Sequence, residues 1–594
     1  MRFLQRLALG RLHARLPEWV RIAIAVAALI LGVVIVIRPT TALDVLAWLI
    51  GGGMVLTGVL DLTGRADEEA RPRWRTLTGV AWVLGGLVVL IAPGLTVRLL
   101  AGLVGILLFV AGALGLIAAF GRGRTIDTRI ADAAFGASGV IFGALALFWP
   151  DITLLVVAVV FGARLIMSGV VDLWTRVRRR NDAAKPEGER PRRRWGRTVI
   201  ALASVALAVT TAVVTTPLRE GSTVVDEFYA APRDLPDEPG RLVRAEPFTA
   251  GIPGTADGWR ILYTTLGVEG EVRVASGIVA VPKNGDGQWP VINWHHGTTG
   301  FAEHCAPSLQ ERGMWSGAMY ILPTLINEGW AVVATDYIGL GTEGPHPYLI
   351  GPPSARAGLD AGRAARELAE ADLGVRTVVW GHSQGGGSAL WAGALARDYA
   401  PELWVQGVAA LAPAADPSAL VENIADVTGG SIFASYAFAS FSEIYPGITY
   451  ADYVRPGAET TLRKMSERCL TDPSIIISVA AALGMSGDAR LFSTPPSTGD
   501  LGRFLRRNTA PLHQTAPLLL AHGGADSVIS VTAQTEYVDR MCGAGQDVDF
   551  RIYDGYEHAA VVERPSPLLD QLIEWTRDRF AGVPAPEGCS TTRY

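Results

Sequence analysis

Along the first 217 residues the apolar positions gather into seven blocks, at about 20–37, 43–62, 76–92, 95–120, 130–149, 152–174 and 198–216. Each is near the roughly 20 residues that a helix needs to cross ~30 Å of hydrocarbon. The first block is followed by no small-x-small cleavage site and belongs to a repeat, so it is expected to stay in the chain. Pro39, Pro93 and Pro150 each close one block and open the next. Seven residues before each proline stands Gly32, Gly86 or Gly143; twelve after, Gly51, Gly105 or Gly162; nineteen after, Gly58, Gly112 or Gly169. Nine glycines in register predict three helical hairpins on one template, with small residues on a face where helices approach closely.

From about residue 260 the pattern changes to short apolar runs alternating with helical stretches: "PVINWHHG" (290–297), "WAVVATDY" (330–337), "RTVVWGHS" (376–383), "PLLLAHGG" (517–524) and "DVDFRIYDG" (547–555). This alternation predicts a mostly parallel sheet covered on both faces, with sites beyond the carboxyl ends of its strands. Between a strand ending near Pro413 and the one starting at Pro517 lie about a hundred residues, helical in pattern. They include Phe433, Tyr436, Phe438, Phe441, Tyr445, Tyr450 and Tyr453. This insertion, about 416–512, is expected to cap the site; its aromatics suit an acyl chain or form the cap's own core.

Charge separates the two parts. Residues 1–217 carry 25 Lys+Arg against 13 Asp+Glu, a net +12, and residues 218–594 carry 27 against 44, a net −17. An acidic surface without a basic stripe argues against nucleic acid as a partner. The N-terminus, the loops near 64–75 and 121–129, and the linker 175–197 hold 22 of the basic residues, whereas the three hairpin turns hold two, Arg38 and Arg98. Positive residues stay inside, so the N-terminus is expected in the cytoplasm and the seventh span delivers residue 218 onward outside. The linker "RVRRRNDAAKPEGERPRRRW" reads as a solvated topology signal that touches anionic lipid. Arg164, near mid-depth of the sixth span, reads as a snorkelling or bundle-buried arginine ahead of a transport residue.

All four cysteines, Cys305, Cys469, Cys542 and Cys589, lie in the acidic part. An even count suits disulfides in an oxidising compartment, and four buried thiols are the alternative. With an outside placement two disulfides are expected. Cys542 is expected to pair with Cys589, because both lie around the final strand and helix, which leaves Cys305 with Cys469.

"GHSQG" (381–385) fits the nucleophile elbow, in which glycines flank a serine on a strained strand-to-helix turn. Ser383 is the expected nucleophile. Its partners should follow in the order acid, then histidine. Of the later histidines, His522 sits inside a strand end and His513 ahead of that strand, whereas His558 follows the last strand. His558 is therefore the expected base. Asp526, after the preceding strand, is the expected acid, with Asp554 its rival as a turn residue. The oxyanion donors should be the backbone N–H of Gln384 and that of Thr298 in "HHGTTG" (295–300), although an ordinary glycine turn would read the same way. No metal-site spacing or phosphate-binding loop is present, and no cofactor is expected.

These segments carry two resemblances. "HHGTTGFAEHCAPS", "ATDYIGLGTEG", "GHSQGGGSA", "LLLAHGGADSVI" and "YDGYEHAAV" resemble the secretory lipase family of α/β-hydrolases, from about Phe228 to Cys589. That resemblance implies hydrolysis of carboxylic esters, usually acylglycerols, by the triad above. It departs from the family pattern in that this chain is tethered to the membrane, whereas such enzymes are usually secreted. Residues 20–174 resemble HdeD-type acid-resistance membrane proteins, which implies a stress-related role and no catalytic residue.

The expected architecture is thus a six-span HdeD-like domain (1–174), a basic cytoplasmic linker (175–197), a seventh span (198–216) and an α/β-hydrolase domain (217–594) outside the cell membrane. Its partners would be membrane lipids and a lipid or other ester substrate. An acyltransferase, in which a lipid or sugar hydroxyl replaces water, is the alternative enzyme. A stress-response or transport membrane protein with a non-catalytic hydrolase-like domain is the alternative of another class.

Overall fold

The computed structural model describes residues 17–63, 73–121, 125–181, 194–220, 224–317, 319–424, 427, 429–486 and 490–594. The chain divides into two compact units, one of residues 1–217 with 454–461 and 483–491, the other of 218–453, 462–482 and 492–594. The basic N-terminal segment through Arg15, residues 64–72 and 122–124, and linker residues 182–193 lie outside the described residues.

In the first unit the helices are α1 (Glu18–Ile37), α2 (Pro39–Thr63), α3 (Arg73–Ile91), α4 (Pro93–Ala119), α5 (Ile126–Phe148), α6 (Pro150–Asn181) and α7 (Arg194–Glu220). Five described stretches are long and apolar enough to cross a membrane: Glu18–Ile37, Pro39–Val59, Pro93–Ala119, Ile126–Phe148 and Pro150–Val171. Gly79–Ile91 and Thr198–Val213 are shorter apolar stretches.

The three prolines act alike. A proline disfavours helical backbone at the residue before it and is well suited to open the next helix. Arg38, Ala92 and Trp149 accordingly share one conformation, with φ of −129°, −125° and −124°. Each donates its N–H to the carbonyl four residues back and accepts at its own carbonyl from Ala42, Thr96 or Thr153. The joining residue thus adds one hydrogen bond to each of the two helices that meet there.

The glycine template determines which helices touch. The close pairs are α2 with α3, α4 with α5, and α1 with α6. A Cβ on Gly86 would lie 2.8 Å from the Gly51 carbonyl, one on Gly143 2.9 Å from that of Gly105, and one on Gly162 2.8 Å from that of Gly32. The outer set repeats the arrangement: Gly58 faces the Gly79 carbonyl at 2.6 Å, Gly112 that of Gly136 at 2.7 Å, and Gly169 that of Ala25 at 2.7 Å. Backbones this close exclude any side chain. The glycine before one proline therefore meets the glycine after another, and the third pair closes a ring. Leu43, Ala47, Val97, Ala101 and Leu154, from α2, α4 and α6, pack together inside it. Arg164 lies on the exposed side of α6, so it is not buried in the bundle.

The second unit is built on a ten-stranded sheet: β1 (Leu242–Pro247), β2 (Ala256–Leu266), β3 (Val272–Pro282), β4 (Trp289–His295), β5 (Ala331–Tyr337), β6 (Leu373–His382), β7 (Trp404–Leu411), β8 (Leu518–Gly523), β9 (Val548–Tyr553) and β10 (Cys589–Arg593). The order is β1-β2-β3-β5-β4-β6-β7-β8-β9-β10. Strands β4 to β10 run parallel, and β1 to β3 form an antiparallel meander joined to β5. The sheet is covered by α8 (Leu322–Asn327), α9 (Gly351–Glu367), α10 (Gln384–Tyr399), and, after the insertion, by α17 (Val531–Gly543) and α18 (Leu568–Phe580). Alternation along β6 feeds both cores: Val378 and Trp380 pack with Leu569, Leu572 and Trp575, while Val379 packs with Leu390, Tyr537 and Phe550.

Between β7 and β8 the described residues hold α11 (Pro417–Ile424), α12 (Gly430–Ile444), α13 (Tyr450–Tyr453), α14 (Pro456–Ser466), α15 (Ile475–Met485) and α16 (Gly499–Arg507). Tyr436, Phe438, Phe441, Tyr450 and Tyr453 are buried, and the Phe438 ring meets Tyr450 at 4.6 Å. These aromatics form the insertion's own core. Two disulfides, Cys305–Cys469 and Cys542–Cys589, tie the insertion to the loop after β4 and α17 to β10.

Candidate active site

β6 ends at His382 and α10 begins at Gln384, which leaves Ser383 alone in the turn at φ 57° and ψ −118°. A non-glycine residue at positive φ is strained and persists only where its surroundings hold it. Here Ser383 donates its N–H to Leu411 (2.9 Å), and its carbonyl accepts from Gly387 (3.1 Å) and Ala414 (2.9 Å). The flanking glycines are steric necessities. A Cβ on Gly381 would collide with the Gly385 carbonyl, and one on Gly385 with the carbonyl of His295.

Two later loops meet this turn. His558, after β9, places Nε2 2.8 Å from Ser383 Oγ and Nδ1 2.7 Å from Asp526 Oδ2. Asp526, after β8, accepts at Oδ1 from the N–H groups of Val528 (2.9 Å) and Ile529 (2.8 Å). Burial by itself would raise the Asp526 pKa. The hydrogen bond and charge of His558, with smaller help from His522 and Ile529, outweigh it and hold the carboxyl below its ordinary range. His522 is fully buried, and its Nε2 donates to the Ile529 carbonyl at 2.9 Å, so it is a packed histidine. His513 is exposed and lies ahead of β8. Asp554 sits exposed in a turn and takes a hydrogen bond from Arg593 at 2.7 Å.

The structure also brings the 295–300 loop to this turn: a Cβ on Gly297 would lie 3.8 Å from that of Ser383. Thr298 follows, its hydroxyl 2.9 Å from that of Tyr348. Gly297 N–H to Gly317 (3.2 Å) and Leu470 N–H to the Thr299 carbonyl (2.7 Å) pin the loop on both sides of Thr298. Gln384, as the first residue of α10, has an N–H with no carbonyl four residues back in its own helix to receive it.

Residues 315–588 match the secretory lipase family. Lipase 6 of Candida albicans is 27% identical over 406 residues, covering 62% of this chain and 83% of that protein. A relative from Mycobacterium tuberculosis, 26% identical and covering 60% of this chain and 82% of its own length, is named a probable inactive lipase. Among solved structures, lipase A of Candida antarctica superposes with a TM-score of 0.50 at 18% identity, covering 62% of this chain and 89% of that one. The second unit therefore has the α/β-hydrolase fold of lipases, and the relatives support a carboxylic ester hydrolase. The first unit carries the short repeat of unknown function of HdeD-like membrane proteins, matched at 23–84, 77–145 and 134–213.

Around this lipase-like site stand residues that sequence reasoning did not single out. His382 donates from Nε2 to the backbone carbonyl of His558 at 3.1 Å, with the two rings 5.0 Å apart. Burial, reinforced by the nearby His558, lowers the His382 pKa to about 3, so it remains a neutral donor. The Gln384 side chain donates to His346 Nε2 at 2.9 Å, and His346 Nδ1 donates to the Ile338 carbonyl at 3.1 Å. Burial lowers the His346 pKa to about 3. Behind the loop, buried Asp336 accepts from the hydroxyls of Ser276 (2.6 Å) and Ser308, and burial raises its pKa to about 6. His382 stood inside "GHSQG" and Asp336 inside "ATDYIGLGTEG", but neither motif assigns them a role. Among the described residues His304, Cys305 and Cys469 are grouped as metal ligands would be, but a disulfide consumes both thiols.

Proposed function

We propose that the chain is a membrane-tethered serine hydrolase that cleaves carboxylic esters of lipids, with acylglycerols the first substrate to try. The observation that carries this reading is the hydrogen-bonded chain Ser383 Oγ, His558 Nε2, His558 Nδ1, Asp526 Oδ2, at 2.8 and 2.7 Å, with Ser383 strained at the tip of its turn. His558 takes the hydroxyl proton as Ser383 Oγ attacks the ester carbonyl carbon, and the carbonyl electron pair moves onto oxygen. The backbone N–H groups of Gln384 and Thr298 receive that oxyanion. Collapse expels the alcohol, which leaves with the proton from His558, and an acyl-serine remains. Water then attacks with its proton passing to His558, and the acid departs as Ser383 regains a proton. Ionised Asp526 keeps Nδ1 protonated, so Nε2 is the free base in each half-reaction.

The distribution of basic residues supports a cytoplasmic N-terminus and a hydrolase domain outside, reached by α7 as a seventh span. The two disulfides agree with that side. The test pairs chemistry with placement. Purified full chain should hydrolyse lipid esters, Ser383→Ala should abolish this, and an acyltransferase would prefer an added acceptor alcohol to water at acceptor concentrations far below that of water. Protease added to sealed cells should remove a C-terminal tag. Equal activity in Ser383→Ala would refute the chemistry, and a protected tag the topology.

A further inference from the structure

The insertion carries a helix with an unusual surface. α15, "IIISVAAALGM", contains no charged residue, and its one polar side chain, Ser478, is buried. Ile477, Ser478, Ala481, Ala482 and Met485 turn inward. The opposite stripe, Ile476, Val479, Ala480 and Leu483, is spaced three and four residues apart and exposed, the three large side chains by 60%, 43% and 58%. A helix on the surface of a water-soluble domain has charged or polar residues on that face. Among the described residues no other helix between β7 and β8 carries such a stripe. Its 11 residues are also too few to span a bilayer, which takes about 17–25.

Two observations name what covers the stripe. The last apolar helix, α7, ends at Glu220, and the next element, a short turn of helix, begins at Glu227. Six residues reach at most roughly 20 Å, so a hydrolase tethered through a membrane-spanning α7 never leaves the bilayer surface. The chain entering α15 is also tied to the site, by Cys469 to Cys305 and by the Leu470 N–H to the Thr299 carbonyl. From this we infer that α15 lies along a phospholipid bilayer with Ile476, Val479 and Leu483 among the acyl chains, turning the Ser383 end of the sheet toward lipid. Apolar area of this kind is what holds an interfacial helix in the headgroup boundary. The inference rests on the membrane reading of the first unit and not on the ester chemistry.

All four native cysteines are in disulfides, so Ile476→Cys, Val479→Cys or Leu483→Cys each adds the one reactive thiol of the full chain. An environment-sensitive nitrobenzoxadiazole label there, in phosphatidylcholine nanodiscs, should be quenched about threefold more by acyl-chain nitroxide than a label at Trp404→Cys, and shielded from an aqueous nickel chelate. Aqueous quenching equal to that at Trp404→Cys overturns the inference. Shielding from both quenchers also overturns it, since a second copy or another protein would then cover the face. In a second assay the pair Ile476→Asp and Leu483→Asp should slow hydrolysis of a bilayer-dispersed ester about tenfold and leave a soluble short-chain ester within about twofold. Equal loss on both esters overturns it. If wild type cleaves neither ester, the proposed function fails while the fluorescence result still decides the position of α15.

Discussion

Replacing Asp526 by Asn changes one atom and should disable the site without unfolding it. In the native structure the two carboxylate oxygens have separate duties. Oδ1 takes the N–H groups of Val528 and Ile529 at 2.9 and 2.8 Å, and Oδ2 faces His558 Nδ1 at 2.7 Å. The two backbone donors require an acceptor, so the oxygen of the substituted amide must stay on their side and its NH2 must face His558. Two donors cannot share a hydrogen bond. The imidazole therefore releases the Nδ1 proton and carries it on Nε2, where it can no longer accept from Ser383. Loss of the productive tautomer should cost about 10⁴ in kcat, or ~5.5 kcal/mol of barrier. Because both backbone bonds survive, the thermal midpoint should fall by only a few degrees, roughly what a lost charge-assisted hydrogen bond removes. The assay is the steady-state rate on a soluble p-nitrophenyl ester together with the rate of inactivation by an alkyl phosphonate, which needs the same activated hydroxyl. Both rates should fall together. If Asp526→Asn stays within about tenfold of wild type while folded, Asp526 does not set the tautomer and the acid has been misassigned.

His558→Ala should cost more than Asp526→Asn, about 10⁶ in kcat, and a variant keeping a tenth of wild-type activity would exclude His558 as the base. Cys305→Ala opens a link across 164 residues and should destabilise the hydrolase by about 2–4 kcal/mol, more than Cys542→Ala across 47; peptide mapping of unreduced protein showing four free thiols would contradict both. Gly143→Leu would push α4 from α5, since its Cβ would sit 2.9 Å from the Gly105 carbonyl, and should cost upward of about 1–3 kcal/mol in detergent. Gly52→Leu has open space and should be neutral; equal behaviour of the two would dismiss the ring. Acid should weaken the hydrolase. Burial lowers the pKa of His295, His296, His346 and His382 to about 3, 4, 3 and 3, so as pH falls below 6.5 the unfolded chain gains protons that the fold refuses. Asp336 and Asp360, raised to about 6 by burial, oppose this by keeping protons in the fold. Asp360→Asn should therefore steepen the acid loss of thermal stability between pH 4 and 6, and an unchanged slope would refute the assignment.

What could be read in the chain was what local pattern encodes. A proline dictates the backbone before it, so Arg38, Ala92 and Trp149 behave alike. Glycines around a serine mark a turn too tight for side chains, and chain order with position after the strands pointed to Asp526 and His558, which the structure brings to Ser383. The missing parts had no such local mark. β3 is buried on nearly every residue and gives no alternation, while β10 is exposed on all five and gives no apolar run. The role of His382 lies in one hydrogen bond across 176 residues. The glycine template shows which helix faces are bare, but two hairpins of one template offer identical faces, so the choice of neighbour is settled only in three dimensions.

The pairing of α1 with α6 has a consequence for how the six helices can be ordered. Each hairpin meets the next through the same glycine contacts, and the last meets the first in the same way. The arrangement is cyclic, so no hairpin is intrinsically first. A circular permutant opened at residues 122–124, with the start of α1 and the end of α6 joined, would keep all of those contacts. Three separate copies of one hairpin could build the same object as a trimer. The closure also fixes the number at three, because a fourth hairpin could enter only by breaking an existing glycine pair. α7 accordingly packs on the outside, with Ala201 and Val205 against Ala131 and Ala134 of α5.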